Sequence, residues 1–196
     1  LMFDTKVAKE GLGSDTNLLY GTATVKGLTT LWDNHRFLAR AQVGGSATNE
    51  GGIGMLQALG CRCTTAGGDE VSWGAGGLDQ LAEIDCSGLD PRLAGVTFQL
   101  ACDVNNTLLG EQGATAVFGP QKGACLEMVA VLERGLQNYA QVLLAATGQD
   151  VAPMVGGGAA GGMGAAARVF LNATLKSGID IVLEAVHLEA ALRDAD

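Results

Sequence analysis

Aromatic side chains and basic charge are scarce in this sequence. Aromatic residues make up 5% of the 196 residues, so a hydrophobic core has to be built mainly from aliphatic side chains. Lys and Arg number 12 against 21 Asp and Glu, which gives a formal net charge of −9. Because a nucleic-acid-binding protein normally carries a basic face, the composition argues against a nucleic-acid partner.

Long apolar segments are missing as well. The sequence contains no run of about 18 apolar residues, the length that predicts a membrane-spanning helix. No secretory signal segment opens the chain. We therefore expect a cytoplasmic protein without a membrane partner. Because the first residue is Leu1 rather than Met, we also expect the chain to be part of a longer protein.

Cysteine and histidine form no recognisable metal motif. The five cysteines are an odd number, and Cys61-Arg62-Cys63 does not have the CxxC spacing of zinc or thioredoxin sites. His35 and His187 are far apart in the sequence. Since cytosolic proteins keep their thiols reduced, we expect free cysteines.

Glycine, in contrast, is abundant and clustered. The 30 glycines are about twice the average usage of roughly 7%. They concentrate next to apolar segments, at 44–54, 67–77, 119–123 and 156–164. This pattern is typical of functional loops in a compact domain and not of a flexible linker.

Strand-like and helix-like segments alternate along the chain. Hydrophobic spacing and β-branched content predict strands at 18–25, 96–102 and 179–183. The same criteria predict helices at 30–43, 53–59, 78–84, 124–147, 164–174 and 187–195. The longest helix should end at Gly148. Alternation of this kind indicates an α/β fold.

A carboxylate and two amides follow the strand predicted at 96–102. Asp103 comes directly after this strand, and Asn105 and Asn106 follow it. In α/β proteins ligands bind at the carboxyl ends of strands, where Asp103 can hold a magnesium ion, orient a substrate hydroxyl or accept its proton. The structural alternative is an Asx turn.

Lys122 lies between Gly119-Pro120 and Gly123, just before the longest predicted helix. A cation beside a helix N-terminus is unfavourable unless an anion is bound there, which indicates a carboxylate or phosphate site. A solvated surface lysine is the alternative. The GxxxxGK[ST] pattern of a Walker A loop is absent.

Two other glycine-rich loops suggest ligand binding. Gly44–Gly52 offers backbone N–H groups with Ser46, Thr48 and Asn49, ahead of a helix N-terminus that favours anions. Helix capping by Ser46 or Thr48 is the alternative. Gly156–Gly161 satisfies GxGxxG, but Pro153 argues against the central strand that a dinucleotide-binding motif needs. Ser46 lacks the GxSxG setting of a hydrolase nucleophile.

Taken together, these loops resemble the glycerate kinase family, the bacterial type that phosphorylates glycerate at the 2-position. The resemblance covers residues 44–196 and leaves residues 1–43 unassigned. It implies a glycerate-kinase-like α/β fold, as part of a two-domain enzyme with a cleft between the domains. The stretches that carry it are Gly44–Gly52, Met55–Gly60, Ala101–Gly110, Phe118–Ala124 and Gly158–Gly164.

The resemblance implies a reaction and its cofactors. An enzyme of this type transfers the γ-phosphoryl group of ATP to D-glycerate, with Mg²⁺, and yields 2-phosphoglycerate. Within the matched motifs we assign Asp103 to catalysis and metal binding, and Lys122 to neutralising charge in the catalytic site. Substrate or phosphate binding is assigned to Gly45, Ser46, Thr48, Asn49, Asn105, Asn106, Gly119 and Gln121. We expect residues 44–52, 103–106 and 119–123 to lie on one face.

Family members are considerably longer and continue past this point into an acidic motif. We therefore interpret residues 44–196 as the central portion of such an enzyme, incomplete at both ends and inactive alone. One alternative is a catalytically incomplete binding or structural module derived from such a kinase. Another is an oxidoreductase that binds a dinucleotide through residues 156–161. A homo-oligomer is an option that the sequence leaves open.

Overall fold

The computed structural model describes residues 2–3, 25–26, 48–187 and 192–193. The helix predicted at 30–43 lies outside the described residues, as do most of the strand predicted at 18–25 and most of the helix predicted at 187–195. Gly45 and Ser46, two of the assigned site residues, also lie outside them.

The described residues form short strands and helices in alternation. The strands are β1 (Met2–Phe3), β2 (Val25–Lys26), β3 (Arg62–Thr65), β4 (Leu81–Asp85), β5 (Gln99–Ala101) and β6 (Thr174–Lys176). The α-helices are α1 (Ile53–Ala58), α2 (Ala114–Phe118), α3 (Leu126–Thr147), α4 (Met163–Leu171) and α5 (Gly178–Ala185). Four 3₁₀ helices cover Ala75–Gln80, Pro91–Gly95, Pro120–Lys122 and Ala159–Gly162. Within these ranges no helix has the length and apolar character needed to cross a membrane.

The described strands pair two by two. β1 with β2 and β3 with β4 are antiparallel pairs, whereas β5 and β6 are parallel, with Leu100 opposite Leu175. A parallel pair requires a long crossover connection, and here the crossover carries α2, α3 and α4. The α/β fold class predicted from the sequence is confirmed.

Two of the predicted elements are wrong. The helix predicted at 78–84 is the end of a 3₁₀ helix followed by β4, because Arg62 and Cys63 of β3 pair with Asp85 and Ile84. The strand predicted at 179–183 lies inside α5. A short apolar run is compatible with either structure when it is read alone, and the strand at this point is β6, a few residues earlier.

The core is built around one face of α3, which begins at Leu126, two residues after the predicted start, and ends at Gly148 as predicted. Leu136, Tyr139 and Leu143 on this face are completely buried. They belong to a cluster with residues of α1, β4 and the 3₁₀ helix that precedes β4. The opposite face of α3 is exposed, with Leu126 87% accessible. The longest helix, α3, therefore provides the buried face against which the rest of the core packs.

Tyr139 connects this core to the loop before α1. Gly51 has a positive φ of 70°, and a Cβ built on it would lie 2.6 Å from Cε1 of the Tyr139 ring. Only glycine accommodates both this backbone conformation and this contact. The loop before α1 is therefore pressed directly onto the most buried part of α3.

The expectation of free cysteines is wrong for two of the five. Cys61 and Cys86 form a disulfide, with their Cα atoms 4.1 Å apart. The turns that carry them meet because Gly60 and Gly88 have no side chains. A Cβ on Gly60 would lie 2.4 Å from the Gly88 carbonyl oxygen. Cys63, Cys102 and Cys125 remain free.

Alkylation under denaturing conditions tests this pairing. Without reductant we expect three reactive thiols per chain, and after reduction five, counted by mass spectrometry. Because a disulfide restricts the unfolded chain, reduction should lower the free energy of unfolding by about 2–4 kcal/mol. Cys86→Ser provides the control, since its stability should not respond to reductant. Five reactive thiols before reduction would contradict the pairing.

Candidate functional site

Two glycine-containing loops meet backbone to backbone at the centre of the candidate site. The Gly51 N–H donates to the Gly161 carbonyl oxygen at 2.9 Å, and the Thr48 hydroxyl donates to the Ala160 carbonyl oxygen at 3.3 Å. A Cβ on Gly161 would lie 2.1 Å from the Thr48 carbonyl oxygen. We call this approach of residues 48–52 to residues 158–162 the glycine contact. It fixes where the polar groups of the first loop lie.

Lys122 reaches the first of these loops from the 3₁₀ helix Pro120–Lys122. Its ammonium group donates to the Thr48 carbonyl oxygen and lies 6.0 Å from the centre of the Phe118 ring. The side chain is half-buried, and this burial lowers the pKa of Lys122. Among the described residues no carboxylate lies within ion-pair distance of Lys122. A partly desolvated cation without a counterion favours an anionic ligand.

Asn49 follows Thr48 in the loop that Lys122 contacts, and its side-chain amide is held in one position. Its Nδ2 donates to the Thr115 hydroxyl at 2.8 Å, and both side chains are buried. Its Oδ1 is buried and has no hydrogen-bond partner in the described part of the chain. An unpaired buried acceptor is costly, so this oxygen is suited to a donor supplied by a ligand. Thr115 was not predicted from the sequence, where its only signal is a hydroxyl inside the small apolar helix α2.

Glu50 is a buried carboxylate that the sequence analysis also missed. Its Oε2 accepts from the Gly54 N–H at 2.6 Å, in the first turn of α1. Burial raises the pKa of Glu50, and the backbone hydrogen bonds from Gly54 and Gly52 oppose the rise. An acidic residue three positions before the start of a helix is the signal that could have found it. Glu50 ties the loop of Thr48 and Asn49 to α1.

Asp103 lies in a different set of contacts. Its Oδ1 accepts from the Gly178 N–H at 2.8 Å and from the Ser177 hydroxyl at 3.3 Å, at the start of α5. The described bonds of its side chain therefore cross to another element instead of closing an Asx turn within its own loop. The carboxylate is exposed and stands at the carboxyl end of β5, beside the carboxyl end of β6.

The remaining assigned residues divide between structural and exposed positions. The Asn106 side chain donates to the Gln112 carbonyl oxygen, and its own carbonyl oxygen accepts from the Gly158 N–H, so it supports the second loop of the glycine contact. The Gly119 carbonyl oxygen accepts from the N–H groups of Lys122 and Ala124, which shapes the turn that carries the lysine. Asn105 and Gln121 are exposed.

The assigned residues therefore fall into two groups. Thr48, Asn49 and Lys122 lie together at the glycine contact, with Asn106 supporting it from behind. Asp103 and Asn105 follow β5, and the described hydrogen bonds of Asp103 lead to α5 and not to the glycine contact. The structure joins residues 48–52 with 119–123, as expected, and shows no direct bond from either to Asp103.

The alternative of a dinucleotide-binding loop is not supported. Residues 150–155, which precede the GxGxxG pattern, contain no strand. The glycines that follow are used for close packing inside the protein: a Cβ on Gly158 would lie 2.1 Å from the Thr107 carbonyl oxygen. The strand–turn–helix setting that gives this pattern its meaning is missing.

The group formed by Asp103 and Asn105 at the end of β5 is compatible with a magnesium ion. No cluster of three or more His, Cys, Asp or Glu side chains occurs in the described ranges. Magnesium, however, often binds through one or two carboxylates and retains water and substrate phosphates as further ligands. In Asp103 one carboxylate oxygen holds α5 and the other accepts none of the described hydrogen bonds.

Comparison with known proteins identifies the family of this chain. A model of the glycerate kinase family matches residues 40–196, which include every residue of both groups. The chain belongs to the glycerate kinase family. The matched region contains all of the α-helices described above, and residues 1–39 lie outside it.

Named relatives of the glycerate kinase family are similar over the same region. The chain is 52% identical to the Glycerate 2-kinase of Escherichia coli K12 over 152 residues, which are 78% of this chain and 40% of that protein. It is 53% identical to the Glycerate kinase of Bacillus subtilis 168 over 154 residues, 79% of this chain and 40% of that protein. The chain therefore spans about two fifths of the length of these curated relatives.

A solved structure agrees with the fold. A candidate glycerate kinase 2 from Salmonella typhimurium LT2 superposes with a TM-score of 0.75 at 54% identity, covering 78% of this chain and 41% of that one. At this identity the similarity extends to the family, not the fold alone. The glycerate-kinase-like α/β class expected from the sequence is thereby confirmed.

The buried Glu50 predicts a specific pH dependence of stability. Because the folded state raises the pKa of Glu50 above its ordinary 4.5, the folded protein binds this proton more tightly than the unfolded chain. Its contribution is thus fully present below pH 4.5 and is lost as the pH rises through the folded value. Glu50→Gln should reduce this loss, measured by urea unfolding from pH 4.5 upward.

Glu83→Gln serves as the control, since Glu83 is an exposed side chain on β4. Hydrogen bonds lower the pKa of Asp85 and that of Asp90, the latter to about 2, so their effects fall at more acidic pH. Identical pH profiles for the parent and Glu50→Gln would contradict a raised pKa of Glu50 in the folded state.

Proposed function

We propose that this chain is the phosphate- and acceptor-handling portion of a kinase that transfers the γ-phosphoryl group of ATP to D-glycerate and yields 2-phosphoglycerate. Membership of the glycerate kinase family and the name of the E. coli relative, Glycerate 2-kinase, support the reaction. Since the chain spans about two fifths of that relative, other parts of such an enzyme supply the remaining contacts to the nucleotide.

The observation that carries the proposal is the state of Lys122. Phosphoryl transfer depends on positioning and on neutralising the negative charge of the transferred group. Lys122 is a half-buried ammonium, fixed against the Thr48 carbonyl oxygen and unpaired within the described residues, in a protein of net charge −9. In our proposal the negative charges of the phosphoryl group are the counterions of the Lys122 ammonium.

Asp103 acts on the acceptor in this proposal. Its carboxylate is exposed at the carboxyl end of β5 and is held in place by the first N–H of α5. A carboxylate in this position orients the reacting hydroxyl of glycerate and accepts its proton as the new oxygen–phosphorus bond forms, while the bond between the γ-phosphorus and the bridging oxygen of ATP breaks and ADP leaves. When bound, Mg²⁺ would neutralise phosphate charge, and the remaining carboxylate oxygen of Asp103 would be its ligand.

The other assigned residues bind the substrate around these two groups. The unpaired Oδ1 of Asn49 accepts from a hydroxyl, while the Thr115 hydroxyl holds the amide in position. Asn105 binds a glycerate oxygen near Asp103. We assign the phosphate contacts to Gly45, Ser46, Thr48, Gly119 and Gln121, and support of the second loop to Asn106.

We propose a cytoplasmic setting for this activity and a small-molecule substrate in place of a macromolecular partner. Self-association into a homo-oligomer stays an open part of the proposal. The second candidate function is a binding or structural module that is catalytically incomplete. It is favoured by the limited span of the relatives that the chain covers.

A chimera tests the assignments in a complete enzyme. The matched 152 residues of the E. coli Glycerate 2-kinase are replaced by the corresponding part of this chain, and formation of 2-phosphoglycerate from D-glycerate and MgATP is measured. Asp103→Asn should lower kcat by about 10²–10⁴-fold because it removes the proton-accepting charge. Lys122→Met should lower kcat/KM by about 10²–10³-fold through loss of charge stabilisation.

The matched control in this chimera is Arg134→Met, which removes an exposed cation on α3 and should leave turnover close to that of the parent. Near-normal turnover of a folded Asp103→Asn chimera would reduce Asp103 to a structural partner of α5. An inactive parent chimera that still unfolds cooperatively would favour the second candidate function.

The 196-residue chain alone should not catalyse phosphoryl transfer from ATP to D-glycerate. Transfer requires acceptor, nucleotide phosphates and metal held in line together, and the chain offers groups for only part of this task. Purified chain is incubated with ATP, Mg²⁺ and D-glycerate, and 2-phosphoglycerate is measured. Sustained turnover near the about 1–100 per second of ordinary kinases would show that the chain is catalytically sufficient.

A further inference from the structure

An open groove of about 790 Å³ is lined by the residues on either side of Asp103, Cys102 and Val104. One wall is formed by β6 and by the residues that follow β5 and β6, among them Asn105 and Ser177. The other wall comes from the second half of α4 and the loop before the glycine contact. The groove thus stands at the carboxyl ends of a parallel strand pair, where α/β proteins bind ligands.

Two cationic side chains line this groove in an otherwise acidic protein. Arg168 projects from α4, and Lys176 is the last residue of β6. The single hydrogen bond described for the Arg168 guanidinium is long, 3.4 Å to the Val155 carbonyl oxygen. A guanidinium has five N–H donors, so most of them are free to bind a ligand from the groove.

Lys176 has a counterion that a ligand can replace. Its ammonium group pairs with Glu184 of α5, a carboxylate whose side chain is 65% exposed. Exposed ion pairs contribute little to stability. The Lys176 side chain itself is 26% exposed, so it is the better shielded partner. An anion that contacts both Lys176 and Arg168 replaces one solvated carboxylate by a two-point contact.

Neutral polar groups accompany the cations. Asn105, Asn172 and Ser177 line the same groove and supply amide and hydroxyl groups. The Ser177 hydroxyl also donates to Asp103, which connects the groove to the carboxylate that we assign to the acceptor hydroxyl. The negative charge of Asp103 is held by the Gly178 N–H at the start of α5, where the helix dipole favours it.

We propose that this groove binds the carboxylate of the hydroxy-acid acceptor, through Arg168 and Lys176, with Asn105 and Asn172 contacting its hydroxyl groups. The inference rests on the proposed function for the identity of the acceptor. Under this assignment Lys122 serves the phosphoryl group and the groove serves the opposite, carboxylate end of the substrate.

An NMR titration of the ¹⁵N-labelled 196-residue chain with D-glycerate tests the inference without any turnover. We expect amide shifts at Asn105, Asn172 and Ser177. Arg168→Ala and Lys176→Met should each weaken binding by about tenfold through loss of a charge-assisted contact. Glu184→Gln should tighten binding by about threefold because it removes the competing carboxylate. Arg134→Ala removes an exposed cation from α3, and its affinity should equal that of the parent.

The outcomes separate the groove from the kinase. Unchanged glycerate affinity in folded Arg168→Ala and Glu184→Gln chains would overturn the inference, whatever the chimera does. Inorganic phosphate that binds in an Arg168-dependent way, without glycerate binding, would overturn the carboxylate assignment. Glycerate bound in the groove beside an inactive chimera would support the inference and count against the kinase reaction. If Lys176→Met fails to fold, Glu184→Gln still reports on Lys176 through the direction of its effect.

Discussion

The candidate site depends on the direct contact between two stretches of main chain. At the glycine contact the Gly51 N–H meets the Gly161 carbonyl oxygen, and neither loop leaves room for a Cβ at the closest positions. The carbonyl oxygen of Thr48, which orients Lys122, and the amide of Asn49 are placed by this contact. A single methyl group between the loops would separate them and move both functional groups.

Helix α3 packs against the first loop of the same contact. Tyr139, at the centre of the longest helix, fills the space that a side chain on Gly51 would occupy. Glu50 then joins the loop to α1 through the Gly54 N–H. A buried ring, a buried carboxylate and a backbone contact thus hold one short loop from three directions, which is how binding groups reach a defined position on an otherwise irregular segment.

Long-range structure explains which features the sequence predicted and which it did not. Helix α3 was predictable because its apolar spacing is regular over many residues. The helical state of Ile179–Leu183 was not predictable, since its β-branched residues are compatible with a strand as well as a helix. In the fold it is β6 that pairs with β5, and residues 179–183 lie in α5. The disulfide between Cys61 and Cys86 depends on two glycine turns meeting, which spacing along the chain does not reveal.

For the site, the polar loops were recognisable as candidates, but their partners were not. Thr115 and Glu50 act on Asn49 and α1 through buried contacts that exist only in the folded chain. The grouping of Thr48 with Lys122, apart from Asp103, likewise follows from the fold and not from the motifs.

The parallel pairing of β5 with β6 has a consequence for the order in which the protein folds. Residues 102–173 lie between the two strands and include α2, α3, α4 and the second loop of the glycine contact, residues 158–162. Helix α3 gains its hydrogen bonds locally, but the strand pair forms only after a long loop has closed, with an entropy cost that rises with loop length. We therefore expect the carboxyl ends of these strands, and Asp103 with them, to assemble after the helices have formed.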